Sequence, residues 1–352
     1  MNMHANRPVR TLIVDDSASM RATLKRMLSA DPGIEVIGAA PDPFEAREMI
    51  KALNPDVLTL DVEMPGMDGL SFLERIMRLR PMPVVMCSTL TARGAAVTIE
   101  ALRLGAVDYV TKPSGTPEDI ERDANLLCEK VKTAARSAAR AGPVRIAPQP
   151  AVGGGGGEGR LIAIGASTGG VEALFSLLPA LPADCPPVLI VQHMPAAFTK
   201  SFAERLNGEC RVQVVEAQDG TPVTPGTVYI APGGERHMEL SGGVSDGRIR
   251  LRAGDMITGH RPSVDVLFRS LVPVASSVIA AILTGMGRDG ADGMLALRNA
   301  GAHTLGQSQD SCVVWGMPRA AKEVGGVERE VGLLGMPEAI LSACRARKLG
   351  SV

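Results

Sequence analysis

Short runs of β-branched and other apolar residues alternate with segments of helical periodicity along nearly the whole chain, and this alternation restricts the fold more than any other feature. The runs of the first half are TLIVD, VLTLD, PVVMCS and DYVTK, and those of the second include RLIAIG, PPVLIVQH, TVYIAPG and SVIAAILTG. Strands joined through helices pair in parallel, because each crossover returns the chain to the same edge of the sheet. The pattern therefore predicts α/β parallel sheets with helices on both faces.

The alternation stops once, between Ser137 and Gly159, where the chain is rich in Ala, Pro and Gly. This composition has no repeating apolar face and is typical of a flexible linker. A chain of 352 residues also exceeds what one core usually encloses. We therefore predict two domains, residues 1–136 and 160–352, joined by a linker at 137–159. Within the second domain, HMELSGGVSDGRIRLRAG predicts a β-hairpin, because its alternation of apolar and polar residues is broken by Gly and Asp.

Composition and charge exclude several classes of protein. The formal net charge is -1, from 37 basic and 38 acidic residues, so no overall field favours nucleic acid or an anionic membrane. The six cysteines are scattered without a C-x-x-C pair, which argues against a zinc or redox motif and for reduced thiols. The N-terminus lacks a long apolar stretch, and no later run reaches the roughly 18 apolar residues of a membrane-spanning helix. These features predict a soluble cytoplasmic protein without membrane insertion.

Polar residues end the predicted strands of the first half. They are Asp15 and Asp16, Asp61, Ser88 and Lys112. In a parallel sheet, ligands bind beyond the carboxyl ends of the strands. Three carboxylates at one edge repel one another unless a hard cation such as Mg²⁺ lies among them, and that cation would also neutralise a phosphoryl group attacked by a carboxylate. Each residue alone is compatible with an ordinary turn or cap, whereas the ordered set favours a site.

With VDDS, LDVEMPGMDG, CSTLT and DYVTKP in this order, residues from about 9 to 130 resemble the receiver domain of two-component response regulators. The resemblance implies a flavodoxin-like (βα)5 fold in which Asp61 takes a phosphoryl group from a histidine kinase. It implies a Mg²⁺ site formed by Asp15, Asp16, Asp61 and the Glu63 carbonyl. It also implies that Lys112, joined to Pro113 by a cis bond, binds the phosphoryl oxygens. Ser88 and Tyr109 match the positions of the switch residues.

The second half begins with IGASTGGVEAL, in which a Gly-rich turn follows a predicted strand and precedes a predicted helix. GASTG fits the pattern G-x-S-x-G, whose glycines permit a tight turn that exposes Ser167 at the sheet edge as a nucleophile. The same serine is also compatible with an ordinary helix N-cap. Dinucleotide-binding and P-loop motifs do not fit, because Ser167 stands at the second glycine of G-x-G-x-x-G and no G-K-[ST] is present.

A nucleophilic serine requires a base, and His193 ends the strand PVLIVQH at the same predicted sheet edge. The base requires a carboxylate that orients it, and Asp289 follows another strand end, within VIAAILTGMGRDGADG. Asp292 is the competing carboxylate, but its place one turn into the next helix suits the helix dipole better. The remaining histidines lie in the N-terminal tail, near loops or the hairpin, or before a short apolar segment: His4, His237, His260 and His303.

IGASTGG, VQHMP, APGG and LTGMGRDGADGM together resemble the catalytic domain of the chemotaxis protein-glutamate methylesterases, over about residues 160–348. The resemblance implies hydrolysis of glutamate methyl esters on the cytoplasmic part of chemoreceptors, with release of methanol, and deamidation of certain glutamines. A chemotaxis histidine kinase is the implied phosphodonor, and the esterase site is expected to need no cofactor. The implied site comprises the nucleophile Ser167, the base His193, its partner Asp289 and two neighbours, Thr168 and Met286, the latter a candidate oxyanion donor through its N–H.

Two other interpretations stay open at this point. Receiver domains often carry DNA-binding modules, but such a module would be a compact basic helix-turn-helix, whereas the second half is a long α/β pattern. A receptor adaptor, or an output protein of another kinase pathway, would keep the fold without esterase activity. An assay of ester hydrolysis separates the adaptor from the enzyme.

Overall fold

The computed structural model describes residues 7–64, 68–89, 91–113, 116–137 and 159–346. Spatial contacts divide the chain into two compact units, residues 1–143 and 144–352. The expected linker lies outside the described residues from position 138 to position 158, so its boundaries stay a prediction. Within the described ranges, no helix combines the length and the apolar character needed to cross a bilayer.

Strands and helices alternate in the described part of the first unit, as the sequence predicts. They are β1 (Val9–Val14), α1 (Ala18–Ser29), β2 (Ile34–Ala40), α2 (Pro43–Leu53), β3 (Val57–Asp61), α3 (Gly69–Leu79), β4 (Val84–Ser88), α4 (Ala92–Arg103), β5 (Asp108–Thr111) and α5 (Pro117–Arg136). The described strands form a parallel sheet in the order β2-β1-β3-β4-β5. This is the flavodoxin-like order, in which the direction of winding reverses between β1 and β3. The carboxyl ends of β1 and β3 therefore border the crevice where a ligand is expected.

The second unit is also α/β. Its described elements are β6 (Leu161–Ala166), α6 (Gly170–Leu177), β7 (Val188–Gln192), α7 (Ala196–Asn207), β8 (Gln213–Glu216), β9 (Thr227–Ile230), β10 (Arg236–Ser241), β11 (Arg248–Ala253), α8 (Val264–Ser270), β12 (Val278–Ile282), α9 (Ala291–Asn299), β13 (His303–Gln307), α10 (Met317–Glu323), β14 (Arg329–Val331) and α11 (Met336–Arg345). Parallel pairing gives the order β14-β13-β12-β6-β7-β9-β8. Strands β10 and β11 pair antiparallel, which confirms the predicted hairpin.

The centre of the second sheet positions the candidate site. Strand β6 lies between β7 and β12, so the winding reverses there. Ala166 pairs with Gln192 of β7, and Gly165 pairs with Ile282 of β12, so the three strands end at nearly the same level. The residues that follow these strand ends include Ser167, His193 and Asp289.

Helix α8 packs directly on β6. A Cβ atom at Gly165 would lie 2.3 Å from Cγ1 of Val264, so only glycine permits this approach. The close packing brings the start of α8 to the carboxyl edge of the sheet. There its first residues meet the loop that follows β12.

Candidate active site and phosphorylation site

Ser167 stands in the turn between β6 and α6. Its N–H donates to the Thr284 carbonyl at 3.1 Å, and its carbonyl accepts from the Gly170 N–H at 2.7 Å. Gly169 has a φ of 76°, and a Cβ atom there would lie 2.6 Å from Cβ of Val313, so the turn requires glycine on both grounds. The N-cap of α6 is Gly169, without a capping side chain. The alternative that Ser167 serves as the helix cap is therefore wrong, and its hydroxyl is left for other chemistry.

His193 and Asp289 meet beyond the ends of β7 and β12. Nε2 of His193 lies 2.8 Å from Oδ2 of Asp289. The His193 N–H donates to the Ala166 carbonyl at 3.1 Å, which ties the histidine to the residue before Ser167. Nδ1 of His193 is buried and has no hydrogen-bond partner in the part of the chain that the structure describes. Because a carboxylate only accepts, Nε2 carries the proton and Nδ1 presents the lone pair that a general base needs.

Asp289 is fully buried, yet its surroundings favour the ionised form. Burial alone would raise the pKa of this carboxyl group, but the hydrogen bond and charge of His193, with the donors Ser263 and Val264, lower it to about 2. The Ser263 hydroxyl donates to Oδ1 and the Val264 N–H donates to Oδ2, both at 2.7 Å. Ser263 is also the N-cap of α8. The start of α8 therefore acts together with His193 to keep Asp289 charged.

Asp292, the competing carboxylate, lies in the first turn of α9 as the sequence predicts. It is partly exposed, and its Oδ1 accepts a hydrogen bond from the exposed Arg288 at 2.9 Å. An exposed ion pair of this kind contributes little to stability. The structure therefore brings Asp289, and not Asp292, to the ring of His193.

We expect Asp289→Asn to lower kcat for ester hydrolysis by about 10³–10⁴-fold. The amide of Asn would donate to Nε2, so the ring proton would move to Nδ1 and the base would lose its lone pair. Asp292→Asn is the matched control and should change kcat by less than about twofold. Steady-state methanol release by both variants tests the prediction, and the opposite ranking would reassign the carboxylate.

The loop after β12 lies against the Ser167 turn. The Thr284 hydroxyl donates to the Thr168 carbonyl at 3.0 Å. A Cβ atom at Gly285 would lie 2.8 Å from Cβ of Ser167, so glycine is needed for this approach. Met286 follows directly, which places its main chain next to the turn. Its N–H as an oxyanion donor stays a prediction.

Two neighbours of His193 were not anticipated from the sequence. The amide nitrogen of Gln192 donates to the carbonyls of Ser167 at 3.0 Å and His193 at 3.2 Å, so it links the main chains of both residues. The ring of His260 stacks on the ring of His193, with centroids 3.7 Å apart and planes 8° apart. Both contacts join residues from different loops or strands, and apolar periodicity carries no signal for them.

The other histidines contact different groups. His237 is buried, and its Nδ1 accepts from the Ser263 N–H at 3.1 Å, so it supports the segment that holds Asp289. His303 lies 3.2 Å from the Glu328 carboxylate at the amino end of β13. His4 lies outside the described residues.

In the first unit, Asp15, Asp16 and Asp61 each offer a carboxylate oxygen, and the three oxygens lie within 4.8 Å of one another. Nζ of Lys112 lies 2.9 Å from Oδ2 of Asp15 and 2.9 Å from Oδ2 of Asp61. Within the described part of the chain, Oδ2 of Asp15 and Oδ2 of Asp61 are buried and have no other partner than this ammonium group. Hard carboxylate oxygens with spare coordination capacity fit a cation such as Mg²⁺.

The carboxylates and Lys112 shift one another's protonation. Burial raises the pKa of Asp61, and the Lys112 ammonium only partly opposes this. Burial alone would lower the pKa of Lys112, but its contacts with Asp61 and Asp15 outweigh burial and raise it. The Glu63 N–H donates to Oδ1 of Asp61 at 3.2 Å.

The expectation of a cis bond between Lys112 and Pro113 is wrong, since the one cis peptide in the described ranges is Arg261–Pro262. The bond before Pro113 is therefore trans, the isomer that X–Pro bonds favour.

Ser88 and Tyr109 belong to the neighbouring strands. Asp61 pairs with Cys87 and Ser88 pairs with Thr111, so Ser88 and Lys112 lie at the same sheet edge as Asp61. Ser88 and Tyr109 are both buried. Burial, with the charge of Asp108, raises the pKa of the Tyr109 phenol well above its usual range. The switch roles of both side chains stay predictions.

The two units match two protein families. Residues 11–123 match the response regulator receiver domain, and residues 162–340 match CheB methylesterase. A protein-glutamate methylesterase/protein-glutamine glutaminase 1 of Caulobacter vibrioides is 55% identical over 352 residues, covering 97% of this chain and 99% of the relative. The chain belongs to the CheB methylesterase family.

Further comparisons agree with this family assignment. The protein-glutamate methylesterase/protein-glutamine glutaminase 1 of Rhizobium johnstonii is 54% identical over 347 residues, covering 98% of this chain and 99% of the relative. The crystal structure of the Thermotoga maritima CheB methylesterase catalytic domain is similar to this chain with a TM-score of 0.51 and 38% identity, covering 52% of this chain and 98% of that one. The resemblance seen in the motifs and the predicted α/β fold class are thereby confirmed.

Proposed function

We propose that this chain hydrolyses glutamate methyl esters on the cytoplasmic part of chemoreceptors, and deamidates specific glutamines there, in sensory adaptation. The observation that carries the proposal is the His193–Asp289 pair beside Ser167, with Nδ1 of His193 unpartnered among the described residues. Such a pair suits acyl transfer from an ester or an amide. The names of the relatives, methylesterase and glutaminase, support these two substrates and disfavour the adaptor without esterase activity.

In the proposed reaction, the Ser167 hydroxyl attacks the ester carbonyl carbon while Nδ1 of His193 takes its proton. The carbonyl oxygen becomes an oxyanion, which main-chain N–H groups such as that of Met286 stabilise. Collapse of this intermediate expels the methoxy group, which takes the proton from His193 and leaves as methanol. Water, activated by the same histidine, then hydrolyses the acyl-enzyme to glutamate and free Ser167. With glutamine, the leaving group is ammonia.

The charge of Asp289 acts through His193 in both steps. The carboxylate accepts from Nε2 and so keeps the lone pair on Nδ1. It also stabilises the imidazolium that forms when Nδ1 takes the proton. A carboxyl group with a pKa of about 2 is ionised over the whole neutral range.

We further propose that Asp61 accepts a phosphoryl group from the chemotaxis histidine kinase and thereby regulates the esterase. Asp15, Asp16, Asp61 and the Glu63 carbonyl would hold Mg²⁺, which when bound neutralises charge on the phosphoryl group. Lys112 would bind phosphoryl oxygens, and Ser88 and Tyr109 would respond to them. We retain residues 137–159 as a linker between the domains 1–136 and 160–352. We place the protein in the cytoplasm, without a nucleic-acid partner.

The proposal is tested by methanol release from purified methylated chemoreceptor in vesicles. We expect the full chain to release methanol, and release to change when a small phosphodonor and Mg²⁺ are added. Normal phosphorylation of the chain without methanol release would favour the interpretation as a receptor adaptor. A chain that releases methanol without any response to phosphodonor would contradict the regulatory part alone.

A further inference from the structure

His260 has no role in the reaction as written, yet its ring covers a face of the base. We propose that His260 is a positioning residue, which fixes the ring plane of His193 by stacking and so aims Nδ1 at Ser167. The inference rests on the proposed esterase function and deepens it. It adds a residue that acts through His193, without touching the substrate.

The hydrogen bond from Nε2 restrains the plane of the His193 ring only in part. Rotation about the Cβ–Cγ bond of histidine has broad minima. Nε2 lies on the far side of the ring, nearer to the line of that bond than Nδ1 does, so its contact with Asp289 restrains this rotation less than a contact at Nδ1 would. Nδ1 lies off the line and swings as the ring turns. The direction of the lone pair therefore depends on a second restraint.

Ser167 does not supply this restraint in the structure, because Nδ1 has no hydrogen-bond partner in the described ranges. The ring of His260 does supply it. With a centroid distance of 3.7 Å and an interplanar angle of 8°, the two rings overlap almost face to face at contact distance. Any large turn of His193 about its Cβ–Cγ bond would drive the edge of its ring into His260.

The stack is effective because the main chain around His260 is itself held. The His260 N–H donates to the Ile257 carbonyl at 2.9 Å, and the His260 carbonyl accepts from the Ile257 N–H at 3.1 Å. The next residue, Arg261, donates from its guanidinium group to the carbonyls of Gly234 at 2.8 Å and Gly254 at 2.7 Å.

The same segment also reaches Asp289 through Ser263, whose hydroxyl donates to the carboxylate. One stretch of chain, residues 260–264, therefore contacts both His193 and its partner. His260 restrains the plane of the His193 ring, and Ser263 and Val264 hold the Asp289 carboxylate. This arrangement would keep the base aligned before the Ser167 hydroxyl approaches Nδ1.

The test compares His260→Ala, which removes the ring, with His260→Phe, which keeps a flat ring but no nitrogen. Both are made in the full chain and assayed for methanol release from methylated receptor vesicles. For His260→Ala we expect kcat to fall by about 10–100-fold with KM within about twofold, because misaimed groups slow the chemical step without weakening substrate binding. For His260→Phe we expect kcat within about threefold of the unmodified chain. His303→Ala, a partly exposed histidine at the amino end of β13, is the control and should change neither constant.

The inference is overturned if His260→Ala keeps its kcat, if KM carries the loss, or if His260→Phe is as impaired as His260→Ala. Should His260→Ala fail to fold, His260→Gln replaces it as the polar variant without a ring, and the comparison with His260→Phe is read in the same way. An unmodified chain that releases no methanol would contradict the proposed function instead. The two failures are therefore distinguishable.

Discussion

Ser167→Ala is expected to abolish ester hydrolysis, with kcat lowered by about 10⁶-fold, while the fold is kept. The described contacts that hold the turn use main-chain atoms of Ser167: its N–H on Thr284 and its carbonyl with Gly170 and Gln192. Removal of the hydroxyl leaves these bonds in place and takes away only the nucleophile. Binding of the receptor should therefore persist without turnover.

Methanol release, thermal unfolding and receptor co-sedimentation measured on one preparation test this expectation. Ser342→Ala, at an exposed position on α11, is the matched control and should behave like the unmodified chain. Hydrolysis by the Ser167→Ala variant within a few-fold of normal would show that another residue is the nucleophile. If Ser167→Ala does not fold, its activity is uninformative, and Ser167→Cys is assayed in its place. We expect slow but measurable turnover by Ser167→Cys.

Asp61→Asn is expected to prevent phosphorylation completely, because an amide is not a nucleophile toward a phosphoryl group. The fold should be kept, since Asp15 remains as a partner for the Lys112 ammonium and the repulsion between two buried carboxylates is relieved. Basal methanol release should stay within a few-fold of normal, because the esterase residues belong to the other unit. The response of release to phosphodonor should disappear.

Incorporation of radiolabelled phosphate from acetyl phosphate measures the first effect, and methanol release measures the others. Asp42→Asn is the matched control, because Asp42 caps α2 and Asn is an equally good N-cap. Stoichiometric labelling of the Asp61 variant would place the phosphoryl group on a different side chain.

The parts of the fold that could be predicted are those whose strands are buried on both faces. Such strands read as continuous apolar runs, as in VLTLD of β3 and PVLIVQ of β7. Strands β8 and β14 lie at the edges of the second sheet, are only four and three residues long, and include exposed residues. They have no such run, and single-sequence periodicity does not reveal them.

The candidate site divides in the same way. Ser167 and His193 could be singled out because they directly follow strands, and topology alone brings the carboxyl ends of parallel strands together. His260 follows the hairpin and no parallel strand, and its contact with His193 joins two segments that are far apart in the sequence. Gln192 is part of an apolar run, so its role depends on side-chain direction. The stacking of His260 and the hydrogen bonds of Gln192 can therefore be identified only from a three-dimensional structure.

The orientation of the His193 ring has a consequence for inhibitor chemistry. In the chymotrypsin arrangement, Nδ1 faces the aspartate and Nε2 faces the serine. Here Nε2 faces Asp289, so Nδ1 is the nitrogen left for the serine. Electrophiles whose second reactive arm is spaced to alkylate Nε2 would find that nitrogen protonated and hydrogen-bonded to a carboxylate, without a lone pair to attack with. Covalent ligands that bridge the serine and the histidine of this enzyme therefore need an arm directed at Nδ1, the nitrogen nearer the main chain.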